Sequence, residues 1–249
     1  MLLMYHHICP RENIPALGGR TELEGWSCNL EPHDFEFQLK LLLKRGFEFV
    51  SMAEYVERCE DGRLKWGVVS VTFDDGWLDN YQYAYPILDD LGIPATIFVV
   101  SGEMAHVSNQ RRISDMQMRE LAGNGMTIGA HSRTHQNLAE LSDVSLRTET
   151  EGCKDDLEQR LGRAVEYLAY PGGRFSRRVI EASECAGFKA ACSVIGGGLN
   201  GRLNLFWLYR DIFSAQMASW RDRVFLNGYA RKLLNKRARG KAEALLQKS

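Results

Sequence analysis

GVVSVTFDDG, residues 67–76, is a continuous β-rich run that stops on two adjacent carboxylates and a glycine. A strand exposed on one face alternates apolar and polar residues. An unbroken run reads instead as a strand covered on both faces, which is the habit of parallel sheets flanked by helices. The pattern repeats outward in both directions. Upstream, LLMY (residues 2–5) is a short apolar strand, HDFEFQLKLLLKRG (33–46) has helical spacing and stops at Gly46, and FEFV (47–50) is a strand. SMAEYVERCEDG (51–62) opens with a Ser N-cap and closes at a glycine. Downstream, helix-type stretches YAYPILDDLG (83–92), SDMQMRELAGNG (114–125), SDVSLRTETEGCKDDLEQRLG (142–162) and SRRVIEASECAG (176–187) alternate with strand-type runs. Those runs are PATIFVV (94–100), MTIGA (126–130), VEYLAY (165–170) and FKAACSV (188–194). A Gly-rich loop, IGGGLNG (195–201), leads into LNLFWLY (203–209), expected as the last strand. Seven or eight such units predict an α/β barrel, within the size range of single-domain barrels.

In such barrels the reactive groups sit where strands end. His6 follows the first strand, Asp74 and Asp75 follow Phe73, and His131 follows Ala130. Tyr170, Pro171 and Gly172 close another strand, and Arg210 ends the last. A closed barrel brings all of them to one rim. HSRTH (131–135) spaces two imidazoles four residues apart, so one helical turn would point both the same way. Two histidines and a carboxylate with open positions describe a zinc-type site. Of two adjacent aspartates, one can bind the cation while the other moves a proton.

TFDDG, HSRTH and the weaker YPGG together resemble the polysaccharide deacetylases with the NodB homology domain, carbohydrate esterase family four, over roughly residues 1–213. The resemblance implies a distorted (β/α)7 TIM-like barrel, with the barrel over residues 1–215 and a basic helical extension over 216–249 packed on it or projecting from it. It implies Asp74 as general base and Asp75, His131 and His135 as ligands of one divalent cation. The ligand types favour Zn2+, with Co2+ or Ni2+ also admitted. It also implies Tyr170, Pro171 and Gly172 as substrate-binding residues, with the Gly172 N–H as donor to the oxyanion. The family's third motif usually begins with Arg, where Ala169 stands here. The chain is similar to a rearranged type that acts on poly-N-acetylglucosamine and carries its acid histidine in a first-strand YH motif. MYHHI matches that motif with His6 as general acid. Successive strand side chains face opposite ways, so His7 is expected behind the strand. Arg210 is the candidate to replace the missing Arg beside Asp74.

The expected reaction is hydrolysis of an N-acetyl group from an amino sugar in a polysaccharide or glycan precursor, releasing acetate. A metal amidase acting on a non-sugar amide, and a non-catalytic carbohydrate-binding relative, are the other readings; the absent third-motif Arg supports the last of these. The polar stretch from Cys9 to Pro32 is long enough for a substrate-facing loop. Trp26 within it and Trp77 after DDG are candidates to stack on a pyranose. Trp207 is expected in the core and Asp79 as an N-cap. Six scattered cysteines with no C-x-x-C pair read as reduced thiols. A net charge of −1 gives no global attraction for nucleic acid. No apolar run reaches the roughly 18 residues of a membrane span. No basic segment precedes the first apolar residues, so a cytoplasmic site is expected. ARKLLNKRARGK (230–241) reads as a solvated helix, or as a weak contact with an anionic membrane surface or a lipid-linked sugar.

Overall fold

The structure is a computed structural model, and it describes residues 1–13, 22–23, 26–27, 29–104, 111–212 and 228–247. The strands are β1 (Leu2–Tyr5), β2 (His7–Ile8), β3 (Glu22–Leu23), β4 (Trp26–Ser27), β5 (Asn29–Leu30), β6 (Glu48–Phe49), β7 (Val68–Phe73), β8 (Ala95–Val99), β9 (Thr127–Ala130), β10 (Tyr167–Ala169) and β11 (Ala190–Cys192). The helices are α1 (Pro32–Lys44), α2 (Met52–Glu60), α3 (Tyr85–Asp90), α4 (Asp115–Gly123), α5 (Asp143–Leu161), α6 (Arg177–Cys185) and α7 (Gly228–Leu246).

The main sheet runs β1-β7-β8-β9-β10-β11, all parallel, with β6 pairing the start of β7. The sheet curls, and its open side is closed by the segment 208–211. Leu208 bridges Cys192 on β11, and Asp211 bridges Leu3 on β1. The expected final strand, LNLFWLY, is therefore corrected. Residues Arg202–Trp207 form a 3-10 segment, and strand-like pairing is confined to these two bridges. A short apolar run does not reveal by periodicity which structure it adopts. Here its apolar side chains divide: Leu205 packs with the α2 cluster while Leu203 is exposed.

The helices form where local signals meet an apolar stripe. Phe35, Gln38, Leu39 and Leu42 line the buried side of α1, which starts at a proline. Ser51, Ser142 and Ser176 cap α2, α5 and α6 by accepting the N3 backbone N–H, and Ser114 and Gln117 form a capping box on α4.

Strand alternation sorts the interior into two cores. Leu3, Tyr5, Val69, Val71, Phe73, Ile97 and Leu168 face outward to the helices. Leu2, Val68, Phe98, Ala169, Cys192 and Leu208 face the barrel axis, stoppered by Met52, Tyr55, Val56 and Cys59 of the α2 region. Each such fully buried aliphatic or aromatic side chain contributes about 1.5–3 kcal/mol. The same parity decides which side chains reach the barrel mouth. Ser70, Thr72 and Asp74 follow Val68 on the inner face, and His6 follows Leu2 and Met4. His7 follows Leu3 and Tyr5, and Tyr170 belongs to the outer core.

Candidate functional site

Asp74, at the end of β7, is 1% exposed and Arg210 is fully buried. The guanidinium clamps the carboxylate with both arms, Nη1 to Oδ1 at 2.6 Å and Nη2 to Oδ2 at 2.7 Å. Arg210 also donates from Nε to the Ser193 carbonyl (2.8 Å) and from Nη1 to Thr72 Oγ1 (3.2 Å), and lies over the Phe98 ring. It is thus a fully buried partner of Asp74. Burial pushes the Asp74 carboxyl up, but Arg210 first, with His131 and His6, holds it well below the ordinary carboxylate range. His6, buried at the end of β1, acts electrostatically on both Asp74 and His135, so it belongs to the same cluster.

Asp75, His131 and His135 form the second half. One ligand atom from each lies within 4.8 Å of the others. Asp75 Oδ1 is 3.5 Å from His131 Nε2 and 3.4 Å from His135 Nε2. His131 Nδ1 donates to the Ala169 carbonyl at 2.8 Å, which leaves Nε2 as a bare lone pair aimed at Asp75. His135 is pushed down to about 4, by burial and then by His131, so its ring is neutral near pH 7. Asp75 Oδ1 is buried and receives no hydrogen bond. Oxygen and nitrogen lone pairs converging without a donor are unfavourable by themselves, and a divalent cation satisfies them together.

The histidines do not share a helical turn, contrary to the spacing argument. HSRTH is a loop in which Ser132 and His135 take left-handed φ of 61°. It is held from below by Glu149 of α5, which accepts the Arg133 and Thr134 amides at 2.9 and 2.8 Å, while Ser132 Oγ accepts the His135 N–H. Asp75 is also left-handed, at φ 73°. Left-handed backbone costs a non-glycine residue about 1–2 kcal/mol. Among the described residues, the three non-glycine positions that adopt it are Asp75, Ser132 and His135.

Several expected contacts are corrected. Trp77 is 3% exposed, so no ring face is open to a sugar; its indole N–H donates to Asp75 Oδ2 at 3.0 Å. Tyr170 is fully buried in the outer core, and its hydroxyl donates to the Phe206 carbonyl. Asp79 stands at the N-cap position of the π-helical turn Asn80–Ala84 but makes no side-chain capping hydrogen bond; it accepts from His7 Nδ1 at 2.6 Å. Trp207 is half-buried in the 3-10 segment and stacks on Phe175. Trp26 lies in β4, and its side chain falls outside the described residues. Pro171 is buried, while Gly172 is exposed at φ 60° and its N–H meets no acceptor among the described residues. Sequence reasoning missed Glu149 and the polar contacts of Trp77 and Asp79. Glu149 and Asp79 act on chain folded from elsewhere, and the Trp77 contact to Asp75, though only two residues long, depends on the sharp turn between them.

A parallel barrel whose mouth pairs a clamped aspartate with an Asp-His-His cluster defines a hydrolase of the deacetylase kind. The chain belongs to the polysaccharide deacetylase family, whose model matches residues 61–191. It is 27% identical over 206 residues to YxkH of Bacillus subtilis (strain 168), itself named for that family, covering 82% of this chain and 73% of the relative. It is 24% identical over 191 residues to the poly-beta-1,6-N-acetyl-D-glucosamine N-deacetylase of Staphylococcus aureus (strain MSSA476), covering 72% of this chain and 66% of that enzyme. Among solved structures it is similar to the Streptococcus pyogenes deacetylase PplD in complex with acetate. The TM-score is 0.75 at 28% identity, covering 87% of this chain and 92% of that one.

Proposed function

We propose that the protein is a cation-dependent N-deacetylase of glycans containing N-acetylglucosamine, with zinc as the cation. The observation that carries this reading is the unsatisfied, buried Asp75 Oδ1 facing two imidazole nitrogens, one residue from an aspartate locked by an arginine. Asp75, His131 and His135 would hold the divalent cation, which when bound would supply Lewis acidity to a water and to the acetyl carbonyl. Asp74 takes the proton of the attacking water. Held so far below its usual range by Arg210, it is a weak base, matched to an acidified water rather than an ordinary one. The Gly172 N–H donates to the oxyanion. His6 protonates the departing sugar nitrogen, so water and amide become acetate and amine.

The argument for a non-catalytic relative rested on the missing third-motif Arg, and Arg210 supplies that guanidinium. The test is acetate release after chelation and reloading with Zn2+, Co2+ or Ni2+. Substrates are β-1,6-linked N-acetylglucosamine oligomers, chitooligosaccharides, simple acetamides and cyclic imides. Release from a glycan that depends on the added cation is expected; turnover of the non-sugar amides alone would replace this reading with that of a metal amidase. On α7, Lys236, Arg237, Arg239 and Lys241 are exposed, while Ala238 and Ala242 pack into the core. This supports a weak contact with anionic membrane surfaces, where a lipid-linked sugar would lie. Co-sedimentation with anionic liposomes that weakens with salt is expected, and no binding at low salt removes it.

A further inference from the structure

The Asp75 carboxylate is divided between two tasks. Oδ1 faces the imidazole pair, and Oδ2 accepts the Trp77 indole N–H. Trp77 is fixed in turn. The antiparallel bridge to Arg112 pins its backbone, flanked by Ile113 N–H to the Gly76 carbonyl at 3.0 Å and Leu78 N–H to the Arg111 carbonyl at 2.9 Å. One face of its ring stacks on His7, with centroids 4.8 Å apart and planes 18° apart. His7 is buried and tied through Nδ1 to Asp79 Oδ2, so the imidazole has little freedom to turn. Asp79 Oδ1 also accepts from Asn80 Nδ2 at 3.0 Å, and the same amide nitrogen donates to the His6 carbonyl at 2.7 Å. One buried chain of contacts thus runs from the proposed cation ligand to the backbone of the proposed general acid.

We infer that Trp77, backed by the His7–Asp79 pair, is a positioning residue that sets how tightly and in what geometry Asp75 grips the cation. The inference rests on the cation site proposed above. It also explains the second histidine of MYHHI, which the reaction does not use. Without the indole N–H, Oδ2 is buried with no other donor among the described residues and the carboxylate is free to rotate, so the ligand oxygen is no longer held toward the imidazoles. Partners of this kind typically change metal affinity 10–100-fold.

The experiment is titration of the cation-free full chain with Co2+ and Zn2+, following Co2+ visible absorption and a competing chelator. Wild type, Trp77→Phe, which keeps a ring for His7 to stack on, and Asp79→Asn, which keeps the volume of the anchor, are compared. Expected is one cation per wild-type chain and affinity reduced about 10–100-fold in Trp77→Phe with a shifted Co2+ spectrum. A smaller loss in the same direction is expected in Asp79→Asn. Wild-type affinity and an unchanged spectrum in a folded Trp77→Phe would overturn the inference and leave the site standing. Should Trp77→Phe fail to fold, unchanged affinity in Asp79→Asn overturns it. A wild type that binds no cation takes down both the site and the inference.

Discussion

Asp74 and Asp75 are consecutive, identical in chemistry and both buried, yet their surroundings are opposite. Around Asp74 both oxygens meet a guanidinium fork, and the carboxylate is complete without any ligand. Around Asp75 one oxygen is anchored by an indole and the other is left bare, pointing at nitrogen lone pairs. The backbone turns sharply between the two, as Asp75 and Gly76 adopt left-handed conformations. The contrast teaches that the division of labour is set by the neighbours and the turn, since the residue type is the same.

The largest effect expected is loss of the cation with all turnover in Asp75→Ala, read by elemental analysis together with acetate release. An Asp75→Ala protein that still bound one cation per chain would erase the distinction. Next, Asp74→Asn should keep the cation and lower kcat about 10²–10⁴-fold. Cation loss in that variant would mean the two carboxylates share one job. Arg210→Met sharpens the comparison through stability. Removing one partner of a buried ion pair strands the other, so a cost of about 3–5 kcal/mol is expected in urea unfolding. The smallest effect concerns pH. Burial and His131 push His135 from the ordinary 6.5 down to about 4. Between those values the unfolded chain binds more protons than the fold, so the cation-free protein should lose stability as pH falls from about 6.5 to 4. Replacing His135 with Asn should flatten that slope in thermal melts, and an unaltered slope would assign it to another group.

The parts legible in sequence were those set by local pattern. β7 and its carboxylates, the Ser-capped helices and the parity that separates His6 from His7 all follow from short-range rules. Arg210 was legible only as a residue at the right end of a run, and that run proved to be a 3-10 segment followed by two isolated bridges. The H-x-x-x-H spacing picked out two rings that the structure does bring together, but by a different geometry. A loop braced by Glu149 brings the rings together where a helical turn was expected. Trp77 is expected to stack on a sugar because an aromatic near a site resembles a platform, and Tyr170 to bind substrate through the third motif. Their burial depends on which neighbours fold over them, and no short window contains that.

The closing segment 208–211 carries a consequence for assembly. The aspartates and both imidazoles lie within residues 74–135, whereas the guanidinium reaches Asp74 from 136 positions further along. During synthesis the proposed cation half can therefore form while the barrel is still open. The proposed base acquires its partner only when the last stave slots between β11 and β1. Closure of the wall and arming of the site are one event, so a chain ending before Arg210 should capture metal but stay inert.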